Sequence, residues 1–461
     1  MRVMSPLDGF FLFAESREHP MHVGGLMLFE PPAGAGPDHA REIYEQLLKQ
    51  TEVRTLFRTR PARPVNSVGH LGWSVDDSLD FEYHVRLSAL PRPGRVRELL
   101  ELVSRMHGTL LDRHRPLWEL HVIEGLADGR VAVYSKIHHS LVDGVSALRL
   151  VQQSLSPDPA DTDCSAYWTP RRTPIDRPGP GIRESVQSGL AAGVGALRGV
   201  AGLAPAAGRF ARAAFRAPDV TLPLTAPRTM LNVDIGGARR FAAQSWSIDR
   251  VRTLKAATGT TVNDIVVAMC AGALRRYLLD QNALPETSLT AALPVSLREL
   301  VDDGREPGGN AIGLMMCRLG TDRADPIDRL GDITRSIGQS KMLLRDAGTL
   351  PALAGMAAIG APLALELVPG YQHLANPPFN VLISNVPGPR EELYFNGARL
   401  VGAYPLSLVA DGQALNITVT SRAGYLDFGL TGCRRSVPSL QRLLTHLDTS
   451  LVELETAIGV D

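Results

Sequence analysis

The sequence predicts an α/β protein with two halves of similar size and similar element order. Its 461 residues exceed the roughly 250–300 residues that one hydrophobic core usually serves. Helix-like and strand-like patterns alternate in the first half and resume in the second, and the stretch between them is rich in Pro, Ala, Gly and Arg. We therefore predict an N-terminal domain at residues 1–155, a crossover linker at 156–227 and a C-terminal domain at 228–461, although no residue-level repeat relates the halves.

Helices in the N-terminal half are predicted at residues 38–51 and 96–110, because apolar side chains recur there at the 3.6-residue period. Residues 130–137 alternate between apolar and other side chains as a strand does. Helical spacing resumes after Gly144. The sequence therefore predicts a strand that runs through a short turn into a helix.

The crossover linker has two interpretations. Residues 182–216 combine Ala and Gly with scattered apolar side chains, which favours an inter-domain helix with solvated arginines. The alternative is contact with an anionic membrane surface through the arginines between positions 198 and 216.

In the C-terminal half, residues 241–248 predict a strand and residues 262–278 predict an amphipathic helix.

Composition and charge exclude several classes of protein. The 48 basic residues balance the 48 acidic ones, whereas a nucleic-acid binder needs a basic surface to neutralise phosphates. The four cysteines lie far apart, which favours reduced thiols over a zinc site or a disulfide framework. The first residues lack the apolar segment and cleavage site of a signal peptide, so we expect a cytoplasmic protein.

One uncharged stretch, residues 347–365, reaches the lower length limit of a transmembrane helix. Pro351 and Pro362 interrupt it, and much of it is Ala and Gly. This composition favours an apolar helix inside the protein, or one that rests on a membrane surface, over a span.

The sharpest chemical signal is the segment HHSLVDG at residues 138–144, where the predicted strand ends and the next helix begins. An imidazole with a pKa near 6.5 can accept a proton from a hydroxyl at neutral pH, and a strand end holds it rigidly. Asp143 can fix the turn or pair with an arginine, and Gly144 permits a tight backbone geometry. The segment therefore predicts an active site built on His138, His139, Asp143 and Gly144.

This motif is typical of the acyl-CoA-dependent acyltransferase superfamily, which includes chloramphenicol acetyltransferase and the condensation domains of peptide synthetases. Over nearly its whole length, the chain resembles a bacterial wax ester synthase/acyl-CoA:diacylglycerol acyltransferase (WS/DGAT). Besides the histidine motif, the segments that carry the resemblance, in family order, are residues 5–8 (SPLD), 15–25 (ESREHPMHVGG), 115–119 (RPLWE), 261–264 (TVND), 294–298 (PVSLR), 309–310 (GN) and 384–389 (SNVPGP).

The resemblance implies two chloramphenicol-acetyltransferase-like domains, each a mixed sheet flanked by helices, with an active-site tunnel between them. It also implies transfer of a long-chain fatty acyl group from acyl-CoA to diacylglycerol or a fatty alcohol. His139 matches the general base, which takes the proton of the acceptor hydroxyl as that oxygen attacks the thioester carbonyl. No acyl-enzyme, metal or cofactor is then needed, because acyl-CoA is itself a substrate.

Several residues match family motifs but also have a simpler structural explanation. Asp143 is expected to hold its loop through an arginine, and Arg298 is the candidate partner. Asn263 and Asp264 match a motif near the active site, yet Thr261 followed by Asp264 is also the pattern of a helix capping box. Both interpretations of that pair stay open.

Further substrate contacts are expected on the same basis. Glu15 and Trp118 match positions that border the reaction centre, although a buried tryptophan is more often part of a core. Ser384 and Asn385 offer polar groups that could hold an oxyanion or the acceptor hydroxyl, or simply complete a turn.

The apolar stretch at residues 350–367 gives a further expectation for the substrate site. It is predicted to form a helix in which Gly355 and Gly360 leave room for an alkyl chain, unless the helix serves only core packing.

Three functions follow from these observations. The first is synthesis of triacylglycerol or wax ester by a cytoplasmic enzyme that lies peripherally at the inner face of the cell membrane and on lipid droplets. The second is acylation of a polyketide or glycolipid alcohol, which the segments at 15–25 and 384–389 disfavour. The third is a non-catalytic lipid-droplet protein of the same fold, which the intact His139 disfavours.

Overall fold

The computed structural model describes residues 2–62, 72–163, 165–170, 221–296, 312–347 and 376–460. Several sequence predictions fall outside these residues. They concern Cys164, the linker helix at 182–216 and Arg298. They also concern the uncharged stretch at 347–365, of which only Ala347 is described, and the helix predicted at 350–367 with Gly355 and Gly360.

The described N-terminal half alternates helices and strands. Its strands are β1 (Arg2–Val3), β2 (His22–Glu30), β3 (Thr59–Pro61), β4 (Gly72–Val75), β5 (Val85–Ala89), β6 (Trp118–Glu124) and β7 (Val131–His138). Its helices are α1 (Pro6–Ala14), α2 (His39–Lys49), α3 (Phe81–His84), α4 (Val96–His107) and α5 (Gly144–Gln152), with a 3₁₀ turn at Thr55–Arg58.

The described C-terminal half also mixes both element types. Its strands are β8 (Arg239–Ser247), β9 (Thr290–Ser296), β10 (Ile312–Arg318), β11 (Val381–Val386), β12 (Tyr394–Phe395), β13 (Ala398–Leu406), β14 (Leu415–Arg422) and β15 (Tyr425–Cys433). Its helices are α6 (Ile248–Thr258), α7 (Val262–Asp280), α8 (Pro326–Ala347) and α9 (Arg442–Ile458).

These elements confirm the helices and strands that the sequence predicts within the described residues. The helix predicted at 96–110 ends earlier, at His107, where Gly108 forms its C-cap and its N–H bonds back to the last turn. The strand predicted at 130–137 extends to His138. Hydrophobic periodicity therefore identified the elements, and local capping determined where they end.

The N-terminal sheet has the strand order β12-β13-β2-β7-β6-β5, and its pairs are antiparallel except β5 with β6. The central strands β2 and β7 pair so that His22 lies opposite His138. Every residue of β7 is buried. The histidine motif therefore begins at the last residue of a fully buried central strand.

The C-terminal sheet has the order β10-β9-β11-β14-β15-β8, with parallel pairs where β11 meets β9 and β14. Helix α7 packs its apolar residues into the core above this sheet, and α9 packs against α7. Both six-stranded sheets thus combine parallel and antiparallel strand pairs, and helices flank them.

The two halves share one sheet and several contacts. Strands β12 and β13 come from the second half of the chain but join the N-terminal sheet beside β2. Arg239 Nη2 donates to the carbonyl of Glu18 at 2.6 Å, and His19 Nε2 lies 3.0 Å from Asp411 Oδ2. The domain bounds 1–155, 156–227 and 228–461 stay a prediction. Residues 394–406 belong to the last of these ranges by sequence, but their strands lie in the sheet of the first half.

Within the described residues, no single helix is both long and apolar enough to cross a membrane. The helix pair Ile248–Thr258 and Val262–Asp280 meets the length and composition criteria together, but it is bent by 105°. Most of its second helix is buried in the protein core.

Candidate active site

The turn between β7 and α5 carries the histidine motif. Asp143 is the N-cap of α5, and its carboxylate accepts hydrogen bonds from Ser146 N at 2.9 Å and Ser146 Oγ at 2.7 Å. This cap satisfies main-chain N–H groups that the first helical turn leaves unpaired. Asp143 therefore stabilises the start of α5, whereas its predicted pairing with Arg298 lies outside the described residues.

Gly144 is the exposed first residue of α5. Among the described atoms, a Cβ built on it would approach only Val23 Cγ1, at 3.9 Å, which is an ordinary van der Waals distance. Its φ also lies outside the left-handed region that favours glycine. Among the described residues, nothing in the backbone of this turn requires glycine at position 144, and a role of Gly144 in the active site stays a prediction.

His138 is held on both ring nitrogens. Its Nδ1 accepts a hydrogen bond from Ser140 N at 3.1 Å, and Ser140 Oγ lies 2.6 Å from the same atom. Because Nδ1 accepts, the ring proton sits on Nε2, which lies 3.2 Å from Glu15 Oε1. The His138 side chain is completely buried and that of Glu15 is 1% exposed, so this pair orients the motif and is shielded from water.

Glu15 has two further partners. Arg113 Nε donates to its Oε2 at 2.9 Å, and Met21 N donates to its Oε1 at 3.3 Å. Burial would raise the pKa of Glu15, but His138 and Arg113 outweigh it and hold that pKa below its usual value of 4.5. The carboxylate is therefore a charged anchor between the segment at 15–25 and the histidine motif. Its predicted contact with substrate stays a prediction.

His139 directly follows the last residue of β7. Its main-chain N–H donates to Met21 O at 2.8 Å. Its imidazole stacks on the ring of Phe11 with the centroids 4.2 Å apart and the planes 24° apart. The main chain and one face of the ring are thus both fixed by the N-terminal segment.

The protonation state of His139 suits a proton acceptor. Burial lowers its pKa to about 4, although a hydrogen bond to its own main-chain carbonyl and the charge of Asp143 act in the opposite direction. A neutral imidazole carries one ring proton and keeps a lone pair on its other nitrogen. At neutral pH the ring is therefore uncharged and able to accept a proton.

A second group of motif residues lies in the C-terminal half. Thr261 Oγ1 accepts from Asp264 N at 3.2 Å, and Asp264 Oδ2 accepts from Thr261 N at 2.8 Å, which confirms the capping box at the start of α7. Asn263 is outside that box, and Asn385 Nδ2 donates to its Oδ1 at 3.4 Å. The structure thus brings together the segments at 261–264 and 384–389.

Ser384 and Asn385 are half-buried residues of β11. Gly388 follows them in the chain and lies very close to β14, the neighbouring strand in the sheet. A Cβ on Gly388 would be only 2.0 Å from Ser421 O, and the Gly388 N–H donates to Ser421 Oγ at 2.9 Å. The glycine of this motif is therefore required for close packing of the turn.

Two family models match the chain. One describes the wax ester synthase/diacylglycerol acyltransferase catalytic domain and matches residues 4–266, and the other describes the WS/DGAT C-terminal domain and matches residues 308–455. The chain belongs to the wax ester synthase/diacylglycerol acyltransferase family. It is therefore an acyltransferase.

Known relatives cover the whole chain. It is 54% identical over 460 residues to a protein of Mycobacterium tuberculosis named a probable diacylglycerol O-acyltransferase, with 100% of both chains covered. A putative diacylglycerol O-acyltransferase of Mycobacterium bovis has the same identity and coverage. The solved structure of a wax ester synthase/diacylglycerol acyltransferase from Marinobacter aquaeolei matches with a TM-score of 0.80 at 40% identity and 100% of each chain.

More distant structures share the fold. The first condensation domain of the calcium-dependent antibiotic synthetase matches with a TM-score of 0.59 at 16% identity, over 100% of this chain and 97% of that one. Together, the comparisons confirm the predicted WS/DGAT family, the α/β fold class and the acyltransferase class of enzyme.

Trp118 occupies a different environment from the other motif residues of this WS/DGAT chain. Its side chain is completely buried, and its Nε1 donates to Phe57 O at 2.8 Å. Its ring stacks on His84 at 4.5 Å and on Trp168 at 5.0 Å between centroids. A contact between Trp118 and substrate stays a prediction, and it requires this aromatic cluster to open.

Three residues around the histidines were not identified from the sequence. Ser140 holds His138, Arg113 holds Glu15, and Phe11 covers His139. Ser140 lies inside the histidine motif, so its position was a usable signal. Arg113 and Phe11 are distant from the histidines in the chain, and only the tertiary structure brings them there.

We predict that the lowered pKa of His139 shifts the acid limb of the pH–rate profile. Because the neutral ring is the active form, kcat/KM should stay level from pH 8 to about pH 5 and fall to half near pH 4. The measurement is the initial rate of acyl transfer at each pH, with circular dichroism to verify that the protein stays folded. A half-maximal rate at pH 6–7, as for an unshifted histidine, would contradict the prediction.

Proposed function

We propose that this WS/DGAT enzyme transfers a long-chain fatty acyl group from acyl-CoA to diacylglycerol, a long-chain fatty alcohol, or both. The observation that carries the proposal is the uncharged His139, whose main chain is held by Met21 and whose ring stacks on Phe11. The names of the mycobacterial relatives support diacylglycerol as acceptor, and the name of the Marinobacter enzyme supports both acceptors.

The chemistry needs one proton acceptor and two bound substrates. His139 Nε2 takes the proton of the acceptor hydroxyl while that oxygen attacks the thioester carbonyl of acyl-CoA. The C–S bond of the tetrahedral intermediate then breaks, and the coenzyme A thiolate takes the proton from the imidazolium. The acceptor oxygen is itself the nucleophile, so no acyl-enzyme forms, and the activated thioester needs neither a metal nor a cofactor.

Polar groups in the second half are proposed to assist. Asn385 and Asn263 form a half-buried polar pair between β11 and the start of α7, and Ser384 precedes Asn385 in β11. Their amide and hydroxyl groups suit an oxyanion or an acceptor hydroxyl. Gly355 and Gly360 are proposed to leave space for the alkyl chain.

The water-insoluble acceptors set where the enzyme works. We propose that it is cytoplasmic and binds peripherally to the inner face of the cell membrane and to lipid droplets, where diacylglycerol and fatty alcohols are dissolved. The arginines between positions 198 and 216 are candidates for that contact.

The test combines the purified enzyme with palmitoyl-CoA and either dioleoylglycerol or hexadecanol. We expect thiol release together with triacylglycerol or wax ester, measured by a thiol reagent and by mass spectrometry of the lipids. Thiol release without an ester would indicate only thioesterase activity. Absence of both, with a folded protein, would favour a different acceptor alcohol or a non-catalytic role.

A further inference from the structure

Phe11 is the side chain that covers the imidazole of His139. It lies in α1, whose N-cap Ser5 accepts a hydrogen bond from Asp8 N at 3.1 Å. The Phe11 ring is half-buried, and its plane is 24° from that of the imidazole, with 4.2 Å between the centroids. This is a stacked arrangement of two aromatic rings at contact distance.

Helix α1 is anchored firmly enough to fix that ring. Arg113 Nη2 donates to the carbonyl of Leu12 at 2.7 Å, and the same arginine holds Glu15. The side chain of Leu12 is buried in an apolar cluster with Met4, Trp73, Leu111 and Leu117. Phe11 is therefore presented to His139 by a helix that is tied down immediately beside it.

We propose that Phe11 is a positioning residue for acyl transfer: its ring holds the His139 imidazole in one plane and shields one face of it from water. The inference rests on the proposed function, because it assigns His139 the role of general base. With one face covered, the imidazole is restrained from rotating, and Nε2 stays directed toward the acceptor hydroxyl. Nothing in the reaction requires Phe11 to touch a substrate.

Phe11 also bears on the basicity of His139. The titratable groups that influence this imidazole are Asp143, which favours its protonation, and the neighbouring His138, which opposes it together with burial. Removing the Phe11 ring admits water to the covered face and relieves part of that burial. The pKa of His139 should therefore rise from about 4 toward its ordinary value of 6.5.

The test compares Phe11→Ala and Phe11→Tyr with Phe13→Ala as the matched control. Phe13 lies in the same helix, but its side chain is 92% exposed, so its loss should leave kcat unchanged. Phe11→Ala should lower kcat about 10- to 100-fold, the range expected when a catalytic group is misplaced. KM for palmitoyl-CoA should change little, and the acid limb of the rate profile should move to higher pH. Phe11→Tyr keeps the ring and should restore both properties.

A second readout needs no substrate. Titration of the His139 imidazole by NMR, with the resonance assigned by comparison with His139→Gln, should give a higher pKa in Phe11→Ala than in the unaltered protein. If Phe11→Ala does not fold, Phe11→Leu replaces it, because leucine keeps apolar volume without an aromatic plane.

The failures of the two proposals are distinguishable. An unchanged kcat and an unchanged titration in Phe11→Ala, or a change in KM alone, would overturn the positioning role. Failure of the proposed function would appear instead in the unaltered enzyme, as absence of ester with either acceptor.

Discussion

An alanine at position 139 is expected to lower kcat for acyl transfer by about 10²–10⁴-fold, the contribution usual for a positioned general base. Burial lowers the pKa of the His139 imidazole to about 4, so the ring is uncharged at neutral pH and can accept a proton. His138 cannot take its place, because both of its ring nitrogens face protein partners. The measurement is the steady-state rate of ester formation from palmitoyl-CoA and dioleoylglycerol.

The control for this variant is His114→Ala, which removes a surface imidazole that is 66% exposed and should leave the rate unchanged. Circular dichroism of His139→Ala should match that of the unaltered protein, because the hydrogen bond of residue 139 to Met21 uses the main chain. If folded His139→Ala forms ester at the unaltered rate, His139 is not the base and the proposed mechanism is wrong.

The sequence predicted what is encoded locally. The motif at 138–144 needs only a strand, a turn and a helix start, and all three signals lie within residues 131–152. The capping box of Thr261 and Asp264 was foreseeable for the same reason, because its two hydrogen bonds join residues three apart. Short-range hydrogen bonding thus makes part of the site predictable from the local sequence alone.

Contacts between distant segments could not be predicted in that way. Glu15 meets His138 and Arg113 at separations of about a hundred residues or more, and Phe11 reaches His139 across a similar distance. Strand β13 joins the N-terminal sheet although it follows the C-terminal helices α6, α7 and α8 in the chain. Each of these pairings depends on how the sheets are assembled, and no periodicity in one segment records its partner.

Lys136 lies on the same strand as His138 and is also invisible to motif analysis. Its side chain is 1% exposed, and its ammonium lies 3.3 Å from Glu119 Oε2. The same ammonium donates hydrogen bonds to the carbonyl of Met106, in the last turn of α4, at 3.2 Å, and to that of Thr109, just after the helix, at 3.0 Å. It thus supplies a donor to main-chain carbonyls at the C-terminal end of α4. This buried cation therefore ties the catalytic strand to both β6 and α4.

We expect Lys136→Met to lower the free energy of unfolding by about 3 kcal/mol, because it removes the buried ammonium that pairs with Glu119 and donates to the carbonyls of Met106 and Thr109. Burial would raise the pKa of Glu119, yet His121, Lys136 and Arg86 together lower it to about 2. That carboxylate stabilises the fold above its ordinary pKa of 4.5, and the stabilisation is lost as pH falls toward 2. Without Lys136 the pKa of Glu119 should rise, so less stability remains to be lost in acid.

Urea unfolding at pH 7 and at pH 4 measures both effects, with Lys255→Met as the matched control. Lys255 is an exposed residue of α6, so its replacement should change the unfolding free energy by less than about 0.5 kcal/mol. Adding Glu119→Leu to Lys136→Met should recover part of the loss, because the carboxylate that has lost its buried cation is then removed as well. A double variant no more stable than Lys136→Met would show that the lost hydrogen bonds to Met106 O and Thr109 O, and not the charge of Glu119, account for the role of Lys136.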